Sequence, residues 1–395
     1  NGKSQCGSHM EDEPWWPQGI AISSMEAALQ SGKLETRWGT VSCWDVEKSQ
    51  DVAWWKQPIE GAWGELDSIF PSSIEVILKD SNRTLMRLDN THIALAYSIP
   101  TSNRSSSLQQ KSNLKTALKS TNLLIPIGGF LIDGNDALLV FKNGELSDAT
   151  PEWLGQTLGE IQSNLGSFPS PNDEKRWNQR LKDLDEELKP NTLWRAPHTS
   201  ATVGIPSVRI HPDWVVDVEG EQCVLPLNQS VSELLLCGTE RLPGIAEFIH
   251  LEGRLVEDKG LNPDQIKTFF EHWKEEVPSR WSSRKALSTV LGGAWIWRYY
   301  DVLVVNAESA LYGDEARYES AQKWLKDVSR LQAHLGVLRV WKSGVWVGIA
   351  TIIVAYYAWQ LDTLSNVESV GLAALGALVS IASNVLYWKK DPPAF

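Results

Sequence analysis

"RIHPDWVVDVEGEQCVLPLN" runs from Arg209 to Asn228, and how it is read decides the fold. Valines crowd 215–218, Glu219-Gly220 interrupts them, and a second apolar run ends at Leu227. The pattern predicts a small strand pair at 214–227 around an acidic turn. Three titratable residues stand in or beside it: His211, Asp213 and Asp217. They are the candidate catalytic residues, because a carboxylate can take a proton from a hydroxyl and an imidazole titrates near neutrality. The plain reading beside this one is a solvated acidic turn made by Asp213, Asp217 and Glu219. His211 with His198 as paired general bases is a third.

Working outward from this stretch, the chain changes character along its length. Residues 1–9 read as a non-native or upstream segment, since "GSHM" at 7–10 resembles a vector scar and Met10 makes a plausible start. Residues 10–72 are rich in Trp, including Trp15, Trp16, Trp38, Trp44, Trp54, Trp55 and Trp63. Packing against the domain is the plain role for such rings; docking on a sugar or a partner is the functional one. "SSMEAALQSG" predicts a short helix stopped at Gly32. Residues 73–147 read as a strand-rich lobe: "IEVILKD", "RTLMRLD", "HIALAYSIP", "LLIPIGGFLID" and "DALLVF", each bounded by turn residues. The polar run 100–113 predicts a surface loop. Residues 148–337 read as mainly helical. Thr150-Pro151 and Asn262-Pro263 are cap and first-turn pairs. "NDEKRWNQRLKDLDEELK" predicts a charged helix, and 314–336 another. The fold class is α+β, two-lobed, strands first and helices after.

At this point a family resemblance can be stated. The order of elements resembles the protein-kinase-like fold in its aminoglycoside-phosphotransferase branch, over roughly residues 74–335. "DALLVFKNGELSDATPEWLGQTLGEIQSNLG" looks like that family's hinge strand and first large-lobe helix, and "IHPDWVVDVEGE" is similar to its "LHPGNILVDDEG". The resemblance implies a small-lobe Lys on the phosphates, a catalytic Asp, and an Asn and second Asp on Mg²⁺. "HIALAYSIP" stands on the Lys strand and holds no Lys. In one register His211-Pro212 matches the family's His-Pro, Arg209 replaces the catalytic Asp, and Asp213 or Trp214 replaces the Asn. In the other, His211-Pro212-Asp213 is a His-x-Asp triplet with Asp213 as base, and Val218 replaces the Asn. In both, the second metal Asp falls within "VLPLN", which has no carboxylate. The resemblance therefore implies an inactive, pseudokinase-like module acting as scaffold or regulator, with no cofactor. One alternative is an atypical phosphotransferase that takes ATP and Mg²⁺ and uses Asp213 or Asp217. Another is a Trp-rich membrane protein that binds a ligand or a protein partner.

Composition narrows the partners. The formal net charge is −12 over 395 residues, which argues against a broad nucleic-acid surface. The four cysteines Cys6, Cys43, Cys223 and Cys237 form no CxxC pair, so a zinc site has little support and free thiols in a reducing compartment are expected. His272 with Glu276 one turn on could share a face, but a salt-bridging surface helix explains the pattern.

The tail, 338–395, carries the strongest signal. "GVWVGIATIIVAYYAWQL" at 344–361 and "VGLAALGALVSIASNVLYW" at 370–388 hold no charged residue. Each approaches the roughly 20 residues that cross about 30 Å of hydrocarbon. The reading is an antiparallel hairpin through the lipid bilayer, reversing in eight residues, "DTLSNVES". Gly344 with Gly348, Ala373 with Ala377 and Gly376 with Ser380 supply small residues one turn apart for close packing. Ser380 and Asn384 are expected to face the other helix. Arg339 and Lys342 precede the first span, Lys389 and Lys390 follow the second, and the loop holds only Asp362 and Glu368. The positive-inside rule then places the large N-terminal part and the C-terminus in the cytoplasm. The sequons at Asn82, Asn103 and Asn228 become chance matches.

Overall fold

A computed structural model describes residues 25–36, 39–101, 104–168, 204–206, 208–236, 241–288 and 293–390. The segment 1–9, Trp15, Trp16, Trp38, Asn103, the charged helix expected over 172–189, His198, Cys6 and Cys237 lie outside the described residues.

Helix α1 (Met25–Ser31) stops at Gly32, whose φ of 72° suits the residue without a Cβ. The hairpin of β1 (Lys33–Thr36) and β2 (Gly39–Ser42) follows. The main sheet is built from β3 (Ala62–Gly64), β4 (Ile74–Lys79), β5 (Arg83–Leu88), β6 (His92–Tyr97), β7 (Gly128–Ile132) and β8 (Asn135–Lys142). Its order is β3-β7-β8-β6-β5-β4, antiparallel throughout. The sheet thus takes one strand from before residue 73. Side chains alternate across it with a period of two. Met86, Leu88, Ala94, Ala96, Leu138 and Val140 face outward and are covered by Trp55, Leu66 and Ile69, with Trp44 and Trp54 against them. Leu85, Ile93, Leu95, Tyr97, Leu139 and Phe141 face inward onto Trp214, Leu225 and Leu227. Both faces are buried, which is why "HIALAY" reads as a near-continuous apolar run. The glycines of "IGGF" serve strand packing: a Cβ on Gly129 would lie 2.2 Å from the Leu138 carbonyl oxygen.

The stretch 100–113 is not the loop its polarity predicts. It carries α2 (Arg104–Gln110), and α3 (Ser112–Leu118) follows directly. Leu108, Leu114 and Leu118 are buried in the helical lobe's core, so a few leucines outweigh a polar composition.

The short strand β9 (Glu145–Leu146) leads from the sheet into the second lobe. Helix α4 (Pro151–Leu165) begins as expected, with Thr150 Oγ1 accepting from Trp153 N at 3.3 Å. Then come β10 (Ile205–Pro206), β11 (Val215–Val218), β12 (Glu221–Val224), α5 (Val231–Leu236), β13 (Arg241–Leu242) and α6 (Gly244–Lys259). The last of these, α6, has no counterpart in the elements expected above. Helix α7 (Pro263–Glu276) opens on a full capping box between Asn262 and Gln265. It packs closely on α4 because Gly155 and Gly159 remove the side chains between them: a Cβ on Gly155 would sit 2.4 Å from the Phe269 oxygen. Phe248 of α6 stacks on Phe269 of α7 at 4.6 Å between ring centroids. Short α8 (Arg284–Leu287), α9 (Gly293–Tyr312) and α10 (Glu315–Lys326) complete the lobe.

Two long helices follow, α11 (Val328–Gln360) and α12 (Asn366–Lys390). The helix expected over 314–336 is broken at Asp327, and α11 runs without interruption past residue 337 into the apolar segment. The reversal is shorter than eight residues: α12 starts at Asn366 because Ser365 and Glu368 form a capping pair, Ser365 N donating to Glu368 Oε2 at 2.9 Å. Gly336–Gln360 and Asn366–Lys390, 25 residues each, are long and apolar enough to cross a membrane. Gly344, Gly348, Gly376 and Ser380 line the seam between them, a Cβ on Gly348 falling 2.5 Å from the Gly376 oxygen. Ser383, 5% exposed, takes the buried polar place there. Asn384 does not: it is exposed and lies outside the seam.

Candidate functional site

The segment 209–228 lies beneath the strand-rich lobe, and its two ends lie side by side, Leu227 N donating to the Arg209 carbonyl at 2.8 Å. Its middle is apolar. Trp214 is 2% exposed and packs with Val216, Leu225 and Leu227 against the inward face of β6 and β8. Tyr97 stands on that face, its hydroxyl accepting from Asn228 N at 3.2 Å. The inward residues of β6 are Ile93, Leu95 and Tyr97, so no cation projects from this strand between the lobes.

The first end is polar and opens into a cleft under the β4–β5 turn. Asp80, Arg83, Arg209, His211, His250, Arg254, Glu308 and Arg317 line it, around roughly 120 Å³ of free space. Arg83 closes the roof: Nε donates to Asp80 Oδ2 at 2.6 Å, and the guanidinium lies 5.0 Å from the Trp214 ring centre. Arg209 forms the floor and is 6% exposed. One of its terminal nitrogens donates to Glu233 Oε1 at 2.6 Å, and Nε is 3.5 Å from Glu247 Oε2. Burial works against the guanidinium's charge, but Glu233 and then Glu247 outweigh it and hold Arg209 protonated well above its ordinary value. Glu233 also accepts from the Tyr300 hydroxyl at 3.2 Å.

Beside this pair stand two more buried groups. His250 Nδ1 lies 2.7 Å from Asp301 Oδ1. Burial, and next the charge of Arg209, push His250 down to about 4. Glu308 is pushed up to about 7 by burial and by the nearby Glu233, while its Oε1 accepts from Val231 N at 3.0 Å.

At the cleft's edge His211, Asp213 and Asp258 bring their ligand atoms within 4.8 Å of one another. These are donor types that could hold a divalent cation. Each is already matched here. Asp213 N donates to His211 Nδ1 at 3.2 Å, so the ring proton sits on Nε2, 3.3 Å from Asp258 Oδ2. Burial lowers the pKa of the His211 imidazole, against the hydrogen bond to Asp258, which raises it. Asp258 is also 2.6 Å from Arg317. Burial alone would raise its pKa, but hydrogen bonds from His211 and Arg317 hold it well below the usual carboxylate range. Asp213 is 2.7 Å from Lys259.

The candidates from sequence therefore separate. His211 and Asp213 come together, joined by Asp258 and Lys259 from α6. Asp217 lies in β11, away from the cleft, and its Oδ1 accepts from Gly220 N at 2.8 Å. Its job is to shape the β11–β12 turn, where Glu219 and Gly220 both hold positive φ. His272 donates within its own helix, to the Thr268 carbonyl at 2.9 Å. Sequence reading missed His250, Arg254, Asp258 and Lys259, all on α6. The available signal was Ile245, Phe248, Ile249, Leu251 and Leu255 at helical spacing, ended by Gly260 with φ 64°.

No protein-family model matches the chain, and no curated protein does. Among solved structures it is similar to a glucosamine kinase at 10% identity, covering 76% of this chain and 90% of that one, with a TM-score of 0.39. It is similar to an aminoglycoside phosphotransferase from Alicyclobacillus acidocaldarius at 14% identity, covering 69% and 94%, TM-score 0.39. A choline kinase from Streptococcus pneumoniae is similar at 12% identity, covering 67% and 96%, TM-score 0.36.

Proposed function

We propose that the chain is a membrane-anchored, two-lobed module with a kinase-like plan that acts by binding, as a scaffold or regulator, and transfers no phosphoryl group. One observation carries the reading. In the register that matches His211-Pro212 to the family's His-Pro, Arg209 stands in place of the catalytic Asp, and it is buried between Glu233 and Glu247. A cation locked there cannot accept a hydroxyl proton, and its partners are already supplied by the two glutamates. Two further features agree. The inward face of β6 offers Ile93, Leu95 and Tyr97 in place of a phosphate-binding Lys, and Leu225 and Leu227 fill the place of a metal carboxylate. The test is a thermal melt of the full chain in detergent with ATP and Mg²⁺. A binding nucleotide stabilises by RT ln(1 + [L]/Kd), so no shift is expected up to millimolar nucleotide. A magnesium-dependent rise in Tm that saturates with ATP overturns the reading.

The second reading, an atypical phosphotransferase taking ATP and Mg²⁺, is favoured by the His211–Asp213–Asp258 cluster alone. It requires turnover that vanishes in Asp213→Asn.

The anchor is supported by what α11 and α12 present outward. Trp346, Leu361, Val367, Val370 and Leu378 are each at least two-thirds exposed, with values from 67% to 82%. A contiguous apolar surface of this kind needs a cover. The flanking cations orient the hairpin with the lobes and the C-terminus in the cytoplasm. In a background without native cysteines, a cysteine at Ser365 should react with an impermeant thiol reagent on intact cells, and one at Ser320 should not. The reverse pattern would place the lobes outside.

A further inference from the structure

At the base of the hairpin, where α8 approaches α11 and α12, there is a cavity of about 400 Å³ remote from the cleft described above. Two cations enter it. The Arg284 guanidinium lies 3.5 Å over the Trp388 ring, and Lys342 Nζ is 5.6 Å from the Tyr387 ring centre. Stacking orients the guanidinium while leaving its N–H groups directed edgewise. Among the described residues neither cation is ion-paired to a carboxylate. Two neutral polar groups share the cavity. The Ser288 hydroxyl oxygen is buried and has no hydrogen-bond partner. Asn384, the one amide in the second apolar run, turns into the cavity instead of the helix seam. The remaining wall is apolar, formed by Val345 and Trp346.

The cavity sits at a defined depth. Asn384 is five residues before Lys389, about 7 Å along a helix axis. That is the headgroup–acyl boundary of a bilayer spanned by this hairpin. In a chain of net charge −12, the end of the hairpin nearest the lobes gathers Arg284, Arg339, Lys342, Lys389 and Lys390, while the reversal carries only Asp362 and Glu368. Four donor-bearing side chains line one cavity at the depth of lipid phosphate, beside the apolar wall of Val345 and Trp346. A neutral ligand would leave both cations and the buried hydroxyl unanswered. A free anion would leave the apolar wall uncovered.

The geometry points to a binding site for one anionic glycerophospholipid. Arg284, Lys342, Ser288 and Asn384 take its phosphate, and the first part of an acyl chain lies along Val345 and Trp346. The site rests on the membrane-anchor reading and gives the anchor a lipid preference. It also ties Arg284, on the lobes, to Lys342 and Asn384, on the hairpin, through a shared ligand.

The test uses the full chain solubilised in a neutral detergent, followed by native mass spectrometry with added phosphatidylglycerol or phosphatidylcholine of matched chains. At about 1 kcal/mol per cation near an anionic headgroup, the two cations give a preference of roughly 30-fold for phosphatidylglycerol, retained as one molecule per chain. Arg284→Gln with Lys342→Gln should remove the preference. Lys389→Gln with Lys390→Gln, which leaves the cavity residues in place, should keep the single retained lipid. Equal retention of the two lipids, or a preference that survives the Arg284/Lys342 change, overturns the proposal. Glycerol phosphate binding as tightly as the lipid would also overturn it, making this a site for a soluble phosphate. Carbonate extraction of membranes separates this failure from that of the anchor. A chain that is stripped off has lost the anchor reading. A chain that stays but shows no lipid preference has lost only the site.

Discussion

Two arginines in this molecule each stand between two glutamates, and they do different work. Arg87, on β5, reaches Glu75 on β4 at 3.1 Å and Glu145 on β9. Both glutamate side chains are more than two-thirds exposed, at 68% and 69%. Arg209, under the lobes, reaches Glu233 and Glu247, whose side chains are 1% and 4% exposed. The chemistry is the same and the solvent is not. Water screens the first trio at little cost and little gain. The second had to give up hydration for three charges, and its geometry must return that cost in full. So the buried trio fixes the arrangement of α5 and α6 around the 209–228 segment.

The largest expected effect comes from breaking the buried trio. Arg209→Ala leaves Glu233 and Glu247 buried without a partner and should destabilise the lobes by ~3–5 kcal/mol. Urea unfolding of the full chain in detergent, followed by Trp fluorescence, measures it. The triple change Arg209→Met, Glu233→Leu and Glu247→Leu removes all three charges together and should recover most of that loss. A stable Arg209→Ala protein would mean that water reaches the trio and that the contrast with Arg87 is false.

A somewhat smaller effect should appear with pH, from two neighbours of the trio whose signs oppose. Glu308 rises from 4.5 to about 7 on folding, so the folded chain binds the extra proton. Its stabilising contribution is present below pH 4.5 and is lost as pH rises through 7. His250 falls from 6.5 to about 4, so the unfolded chain binds the extra proton. Its contribution is present above pH 6.5 and is lost as pH falls through 4. At ~1.4 kcal/mol per pH unit each can reach about 3 kcal/mol. These two contributions oppose each other between pH 4.5 and 6.5. Glu308→Gln should expose the His250 arm, with stability dropping as the solution is acidified across that window. His250→Asn should expose the other, with stability dropping as pH rises. Flat curves for both variants would show that neither group is as buried as its surroundings imply.

These groups also mark where sequence reading stopped. The strands 74–79, 83–88 and 92–97, the caps at Thr150 and Asn262, and the two apolar spans were legible, because periodicity and capping are local. Helix α6 was overlooked although Ile245, Phe248, Ile249 and Leu255 carry its period, because Gly244, Gly253 and six charged residues dilute it. With it went His250, Asp258 and Lys259. The pairing of Arg209 with Glu233 and Glu247 was out of reach for another reason: it joins positions 24 and 38 residues apart, and nothing local encodes it. His211 and Asp213 were found in sequence, yet the contacts that occupy them, Asp258 and Lys259, come from α6 and are tertiary. Asp217 resembled its neighbours in type and differed only in which way its strand turned it.

A local signal gives a yardstick between the extremes. Asn262 caps α7, its Oδ1 accepting from Gln265 N at 3.0 Å, and Gln265 Oε1 accepts from Asn262 N, also at 3.0 Å. Asn262→Ala removes one orphan donor's partner at an exposed helix start and should cost about 1 kcal/mol. Asn262→Ser should restore most of it. A loss comparable to Arg209→Ala would mean that α7 docks through its first turn, and that exposure is a poor guide to cost in this lobe.

The smallest effect belongs to the exposed trio. Arg87→Ala removes two ion pairs and should change stability by less than about 1 kcal/mol, because each glutamate regains full hydration. Part of that small loss is not ionic. The Arg87 side chain is only 17% exposed, so its methylenes cover the edge of the sheet. Arg87→Met keeps that cover and drops the charge, which separates the two contributions: the ionic share is the difference between wild type and Arg87→Met. It should shrink further in 0.5 M salt, where screening acts within about 4–5 Å. The Arg209 trio, closed to ions, should show no such salt dependence in the difference between wild type and Arg209→Met. If Arg87→Met instead proves costly and insensitive to salt, Arg87 is bound to the β4–β9 junction as firmly as Arg209 is to α5 and α6, and burial alone does not distinguish the two.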